Sequence, residues 1–300
     1  MASGNSSDIS TVAVLGGGLM GSGIAQVAAH AGYDTIVREV SDALCDRAKR
    51  AIERSFDKSI EKQKATQEDK AAALSRIRFT TALDDVAPAD LVIEAVVEDV
   101  QVKSDIFRQL DALVSERTLF ATNTSSLTVS QLAAATQRPD RFLGLHFFNP
   151  VPAMKLVEIV RGLRTSAETM NRAEAFVRSL GKEPIRAKDN SGFVVNLLLV
   201  PYMIDAIRAL ESGVASMTDI DKGMTLGAGH PMGPFTLLDF VGLDTTYRIA
   251  EIMFDEYREA RYAPPPLLKR MVLSGLLGKK SGKGFYDYST NPPTPNDLGL

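Results

Sequence analysis

A single cysteine, Cys45, occurs in 300 residues, so no intramolecular disulfide can form and no metal site can be assembled from thiolates alone. Histidine is also scarce, with only His30, His146 and His230 available for proton chemistry near neutral pH. Positive charge is not in excess: 34 Lys and Arg stand against 37 Asp and Glu, a net charge of −3. That balance disfavours nucleic-acid or membrane-surface binding and makes any anion site a local one. Long apolar runs are missing too. The longest, Phe193 to Ile204, is interrupted by Asn196 and Pro201, and the opening MASGNSSDIS lacks the basic and apolar regions of a signal peptide. The expectation is a cytoplasmic protein with no membrane span, in which the sequons at Asn5 and Asn123 carry no glycan.

What is present is an ordinary globular composition, 45% hydrophobic and 24% charged. The length exceeds the single core of roughly 100 to 200 residues, which points to two domains. From Thr11 onward, short β-branched runs alternate with amphipathic ones. TVAVLG, TIVREV, LVIEAVV at 91–97, TLFATN at 118–123 and FLGLHFF at 142–148 read as strands. Helices are expected from Leu19 to Ala31, from about Ser41 to Lys64, and through Ile106 and Leu110. This order predicts an α/β, Rossmann-type doubly wound and mostly parallel sheet over residues 1–189, with the long helix inserted. After Asp189 the apolar spacing becomes helical, which predicts a separate all-helical domain over 190–300. Its first helix is apolar nearly all round and is expected to be buried within the domain or at a subunit interface.

Gly16, Gly18 and Gly21 form G-x-G-x-x-G, enclosing Leu19 and Met20, directly after one expected strand and at the start of a helix. In that context the glycines provide a tight turn, close approach of backbone to a pyrophosphate, and close helix–strand packing, with the phosphate on the helix N-terminus. Glu39 ends the next strand, where a carboxylate binds the adenosine ribose and repels a 2′-phosphate, favouring NAD. Arg38 beside it is either solvated or a partner for the phosphate of NADP.

Hydride transfer to or from an alcohol calls for a general base, and the three histidines differ in position. His30 ends the first helix, away from the glycine loop, and His230 lies between turn signals in GHPMGPF; both read as structural. His146 lies near the carboxyl end of an expected strand, the edge at which open α/β sheets bind ligands. Glu158, twelve residues on, could return beside the imidazole and fix its tautomer. A strand-end histidine with a purely structural partner is the other reading of these residues alone. GLLGKKSG lacks a P-loop glycine, since Leu273 occupies its position.

The string VAVLGGGLMGSGIA, EAVVEDVQVK, NTSSL, LHFFNPVPAMKLVEIV, GHPMGPFTLLDFVGLDT and GKKSGKGFYDY, in that order over nearly the whole chain, resembles the L-3-hydroxyacyl-CoA dehydrogenases, including 3-hydroxybutyryl-CoA dehydrogenases. The resemblance implies interconversion of an L-3-hydroxyacyl-CoA and a 3-oxoacyl-CoA, with His146 as base and Glu158 as its orienting carboxylate. It implies that Ser125 and Asn196 hydrogen-bond the reacting 3-oxygen and thioester region, and that Glu39, Glu98, Lys103, Ser125, Asn149 and Lys280 contact NAD. Ser55 and Lys62 match positions touching coenzyme A, and the helical domain is implied to close the substrate cleft and form a homodimer. On a helix, Ser55 and Lys62 share a face with Arg50, Arg54 and Lys58, although Glu53, Asp57 and Glu61 beside them would equally suit a salt-bridged, solvated surface. The sequence departs from the family pattern at Glu39, where aspartate is commoner, and in SGFVVNLLL, where Ser191 replaces proline and Leu197 arginine. Rival readings are a sugar-acid dehydrogenase of the L-gulonate type and a non-catalytic NAD-binding protein; an intact Ser125, His146, Glu158 and Asn196 set speaks against the second.

Overall fold

The computed structural model describes residues 8–299, so the sequon at Asn5 lies outside the described residues. The chain divides into two compact units, Met1–Asn190 and Ser191–Leu300.

The first unit is built on one eight-stranded sheet in the order β3-β2-β1-β4-β5-β6-β7-β8. Its strands are β1 (Thr11–Leu15), β2 (Asp34–Arg38), β3 (Ile77–Thr80), β4 (Leu91–Glu94), β5 (Leu119–Thr122), β6 (Phe142–Phe147), β7 (Leu156–Arg161) and β8 (Glu183–Lys188). The helices are α1 (Leu19–His30), α2 (Asp42–Glu61), α3 (Gln67–Ser75), α4 (Val100–Leu113), α5 (Val129–Ala133) and α6 (Ala167–Ser179). The central strands are continuous apolar runs because both faces are covered: Val12, Ala13, Val14, Leu91, Val92 and Ile93 are fully buried. Strand order reverses between β1 and β4, the switch point outside which such sheets bind ligands.

The long helix expected from about Ser41 to Lys64 is α2, which ends at Glu61, and a further helix, α3, which the sequence reading did not expect, follows it. Ser41 caps α2 through Leu44 N, and the chain leaves the helix at Lys62 before Thr66 and Asp69 form a capping box that starts α3. The strands β3 and β8 mix charged and apolar residues at the two sheet edges, which is how exposed edges discourage further pairing and why they do not stand out in the sequence. Six of the seven adjacent pairs are parallel; the exception is β6 with β7.

The second unit is helical, with α7 (Val195–Glu211), α8 (Met217–Lys222), α9 (Pro234–Val241), α10 (Leu243–Tyr257) and α11 (Pro266–Leu273), plus a two-residue ladder of β9 (Tyr286–Asp287) and β10 (Thr294–Pro295). Its core joins Met203, Ile204, Phe235, Leu238, Met253 and Phe285. Asp239 accepts from Phe285 N at 2.9 Å and Tyr286 N at 2.8 Å, which anchors the final ladder to α9. Within this unit the first helix is buried along one side only: Ile204 and Ile207 are in the core, whereas Leu198 is 66% exposed. Among the described residues no helix is long and apolar enough to cross a membrane.

Candidate active site

The glycine loop connects β1 to α1. Gly16 has φ +90°, and a Cβ there would lie 2.8 Å from the carbonyl oxygen of Ala95, so both the turn and the contact with β4 require glycine. A Cβ on Gly21 would fall 1.7 Å from the Gly16 carbonyl oxygen. Gly18 caps α1 without any side-chain cap, the first turn holds no acid, and a Cβ added at Gly18 would meet nothing within 4 Å. The N–H groups of Leu19 and Met20 begin a helix with no residues four positions earlier in the helix to accept from them. Open space, absent side chains and a helix N-terminus fit the pyrophosphate of a dinucleotide.

Glu39 follows β2 and folds back on this loop: Oε1 accepts from Gly17 N at 2.6 Å and Oε2 from Val40 N at 3.2 Å. Arg38 donates from Nε to the carbonyl of Thr81 at 3.4 Å. Cys45 on α2 is buried, its thiol pushed up chiefly by that burial.

At the same carboxyl edge, β4 and α4 form a buried ionic cluster. Asp99 caps α4 through Gln101 N at 2.9 Å and Val102 N at 3.0 Å, and the first turn then brings Lys103 back over the end of β4. The Lys103 ammonium, 1% exposed, lies 2.7 Å from Glu94 Oε1 and 3.2 Å from Glu98 Oε2. Glu94, fully buried, also accepts from Val96 N and from Thr122 Oγ1, each at 2.7 Å. Burial pushes the Glu94 carboxyl up against the opposing pull of Lys103. Burial presses Glu98 the same way, but Lys103 and the hydroxyl of Thr124 outweigh it and hold that carboxyl down. Glu98 accepts from Thr124 Oγ1, from Ser125 N at 3.1 Å and from Ser126 Oγ at 3.2 Å, so it shapes the loop that presents Ser125. Sequence reading passed over Glu94, Thr122 and Thr124; the available signal was a carboxylate inside the apolar run LVIEAVV.

His146 and Glu158 are directly opposite one another in the antiparallel β6–β7 ladder. Facing residues of such a ladder point to the same side, and Nδ1 lies 2.6 Å from Glu158 Oε2. The twelve-residue spacing is thus a strand pairing, with the turn NPVPAMK between the strands. Two contacts hold that turn. The buried Lys182 ammonium donates to the carbonyls of Val151 and Met154 at 2.6 and 2.7 Å, and Gly23 of α1 leaves room for Val151, since a Cβ there would be 2.8 Å from its Cβ. Asn123 Oδ1 accepts from Phe147 N at 2.9 Å, stitching the Ser125 loop to the end of β6. Asp189 accepts from Val129 N and Ser130 N, both at 2.7 Å, and so caps the short helix after that loop.

The structure therefore brings Gly16, Gly18, Gly21 and Glu39 together at one part of the carboxyl edge, and Glu98, Lys103 and Ser125 at another. Asn149 is exposed in the turn after β6. Ser55 is half-buried on α2, while Lys62 is exposed just past its end. Asn196, in the first turn of α7, and Lys280, exposed and 2.7 Å from Asp244 Oδ2, belong to the second unit. His30 ends α1, with its ring 6.1 Å from that of Phe56, and His230 bonds Tyr202 Oη through Nδ1 at 3.2 Å. Among the described residues no group of His, Cys, Asp and Glu is placed to hold a metal ion.

Residues 11–190 match the family described as 3-hydroxyacyl-CoA dehydrogenase, NAD binding domain, and residues 192–288 match 3-hydroxyacyl-CoA dehydrogenase, C-terminal domain. The chain belongs to the 3-hydroxyacyl-CoA dehydrogenase family. It is 50% identical over 282 residues to the 3-hydroxybutyryl-CoA dehydrogenase of Mycobacterium tuberculosis, covering 93% of this chain and 99% of that one. It is 47% identical to the human mitochondrial hydroxyacyl-coenzyme A dehydrogenase, covering 92% and 90%. The solved (S)-3-hydroxybutyryl-CoA dehydrogenase PaaH1 of Ralstonia eutropha superposes with a TM-score of 0.90 at 45% identity, covering 94% of this chain and all of that one. NAD is accordingly the cofactor of this dehydrogenase, and the family's NAD binding domain spans the glycine loop, the ionic cluster and the His146–Glu158 ladder.

Proposed function

We propose that this dehydrogenase interconverts L-3-hydroxybutyryl-CoA and acetoacetyl-CoA, using His146 as the general base. The observation carrying the residue assignment is the buried His146–Glu158 pair, built into one strand ladder at the carboxyl edge of the sheet. NAD, when bound, would supply the hydride acceptor for C3 of the hydroxyacyl chain. The Nδ1–H donated to Glu158 sets the tautomer in which Nε2 carries the lone pair, and Nε2 takes the 3-hydroxyl proton. Glu158 then stabilises the resulting imidazolium, and in the reductive direction His146 returns the proton. Ser125 Oγ, with Asn196 by family resemblance, donates to the oxygen on which charge develops.

Glu39 is read as the ribose ligand that selects NAD, and the direction of Arg38 toward Thr81 supports this over a phosphate-binding role. Glu98, Lys103, Asn149 and Lys280 are read as further NAD contacts, and Ser55 and Lys62 as coenzyme A contacts. We further read the protein as cytoplasmic and as a homodimer formed through its helical unit, where Leu198 and Leu226 are 66% and 84% exposed. Light scattering on the eluting protein should give twice the chain mass, and the chain mass alone would remove the dimer.

The test of function is NADH consumption followed by its near-ultraviolet absorbance with acetoacetyl-CoA. The thioester with NADH should react at least about a hundredfold faster than free acetoacetate, or than the thioester with NADPH. Equal rates with acetoacetate would remove the coenzyme A assignment, and equal rates with NADPH would remove the role given to Glu39.

A further inference from the structure

Glu94 has no part in the chemistry above, yet it is the most completely enclosed acid of the cluster. Three donors converge on it: the Lys103 ammonium, Val96 N and Thr122 Oγ1, all at 2.7 Å. The Lys103 ammonium and Val96 N can only donate, and both donate to Oε1, so against the upward push of burial the carboxyl paired with that ammonium is taken as a carboxylate. The donors around Glu98, which are the hydroxyls of Thr124 and Ser126, Ser125 N and Lys103, impose the same state. Two carboxylates and one ammonium leave the cluster with a net charge of −1.

Hydride transfer needs the nicotinamide within about 3–3.5 Å of C3 of the substrate. If Ser125 holds the oxygen on C3, the nicotinamide lies beside the Ser125 loop, and Glu98 is bonded to that loop. The oxidised ring is cationic and the reduced ring neutral. A fixed negative charge, partly shielded from water, therefore favours one redox form of the cofactor over the other.

We infer that Glu94 is a positioning residue that holds the Lys103 ammonium, and that the net negative charge of the Glu94–Lys103–Glu98 cluster favours binding of NAD+ over NADH. The inference rests on the reading of Glu98, Lys103 and Ser125 given under Proposed function. Neutralising Glu94 removes the excess charge and loosens the ammonium from its deepest anchor. Both changes weaken the cationic ring more than the neutral one.

The experiment is calorimetric titration of the whole protein with NAD+ and, separately, with NADH. In Glu94→Gln the ratio Kd(NAD+)/Kd(NADH) should rise about tenfold over wild type. Loosening of the fold weakens both forms alike and cancels in this ratio, so a purely structural role would not move it. Asp105→Asn, which removes an exposed carboxylate of α4, should leave the ratio unchanged. Should Glu94→Gln not fold, Glu98→Gln makes the same charge change at a side chain 24% exposed, and its ratio should rise as well. A ratio within about twofold of wild type in a folded variant, with wild type binding both forms, overturns the inference alone. Wild type binding neither form overturns the cofactor reading and the inference with it.

Discussion

Replacing His146 with glutamine should lower kcat by about a hundred- to ten-thousandfold while leaving NADH affinity unchanged. Glutamine can still donate a hydrogen bond toward the buried Glu158, so the carboxylate keeps a partner and the ladder keeps its packing. What it lacks is a nitrogen that accepts a proton near neutral pH. The expected signature is a fall in kcat with little change in KM, because the missing interaction exists only as the proton moves. Stopped-flow turnover with acetoacetyl-CoA, alongside an NADH titration, reads both quantities. Activity within about tenfold of wild type would remove His146 from the role of base.

A comparable effect on binding is expected from Gly21→Ala. The added methyl carbon would fall 1.7 Å from the Gly16 carbonyl oxygen and 2.9 Å from its carbon, both of them backbone atoms that no rotamer change can clear. Either α1 moves off the sheet or the glycine loop deforms, and both displace the N–H groups at the start of α1 that the proposed pyrophosphate site would use. NADH affinity should fall by more than about a hundredfold, and the melting temperature should fall with it. Gly18→Ala separates the two effects. Its methyl group enters open space at φ −64°, so the melting temperature should hold while NADH affinity still drops. Wild-type affinity in Gly21→Ala would refute the steric account, and wild-type affinity in Gly18→Ala would move the phosphate away from this loop.

Much of the first unit was legible because its signals are local. The glycine spacing, the strand before it and the acid after β2 all lie within one βαβ stretch, where sequence distance and spatial distance nearly coincide. The two-unit division likewise shows as a change of apolar period near Asp189. The edge strands β3 and β8 were not legible, because edge exposure gives them the composition of loops. The second helix after β2 was hidden by continuous polar sequence, and only the capping box at Thr66 and Asp69 marked its start. In the site, the spacing of His146 and Glu158 suggested a meeting but not its form, which depends on a turn held by Lys182 and Gly23 from distant parts of the chain. Glu94 was hidden for another reason. A carboxylate within an apolar strand becomes intelligible only when Lys103 arrives from the next helix.

The ladder that joins His146 to Glu158 has a kinetic meaning as well as a geometric one. Many active sites are completed only when a loop or lid closes, so their proton-transfer groups spend part of each cycle apart. Here acceptor and counter-charge are neighbours in a single sheet, at a register fixed by the buried residues Leu145, Phe147, Val157 and Ile159 around them. The two backbones cannot be parted short of unzipping two buried strands. If His146 is the base, as proposed, it is therefore set before substrate arrives and remains set after product leaves, and the pair needs no reassembly between turnovers.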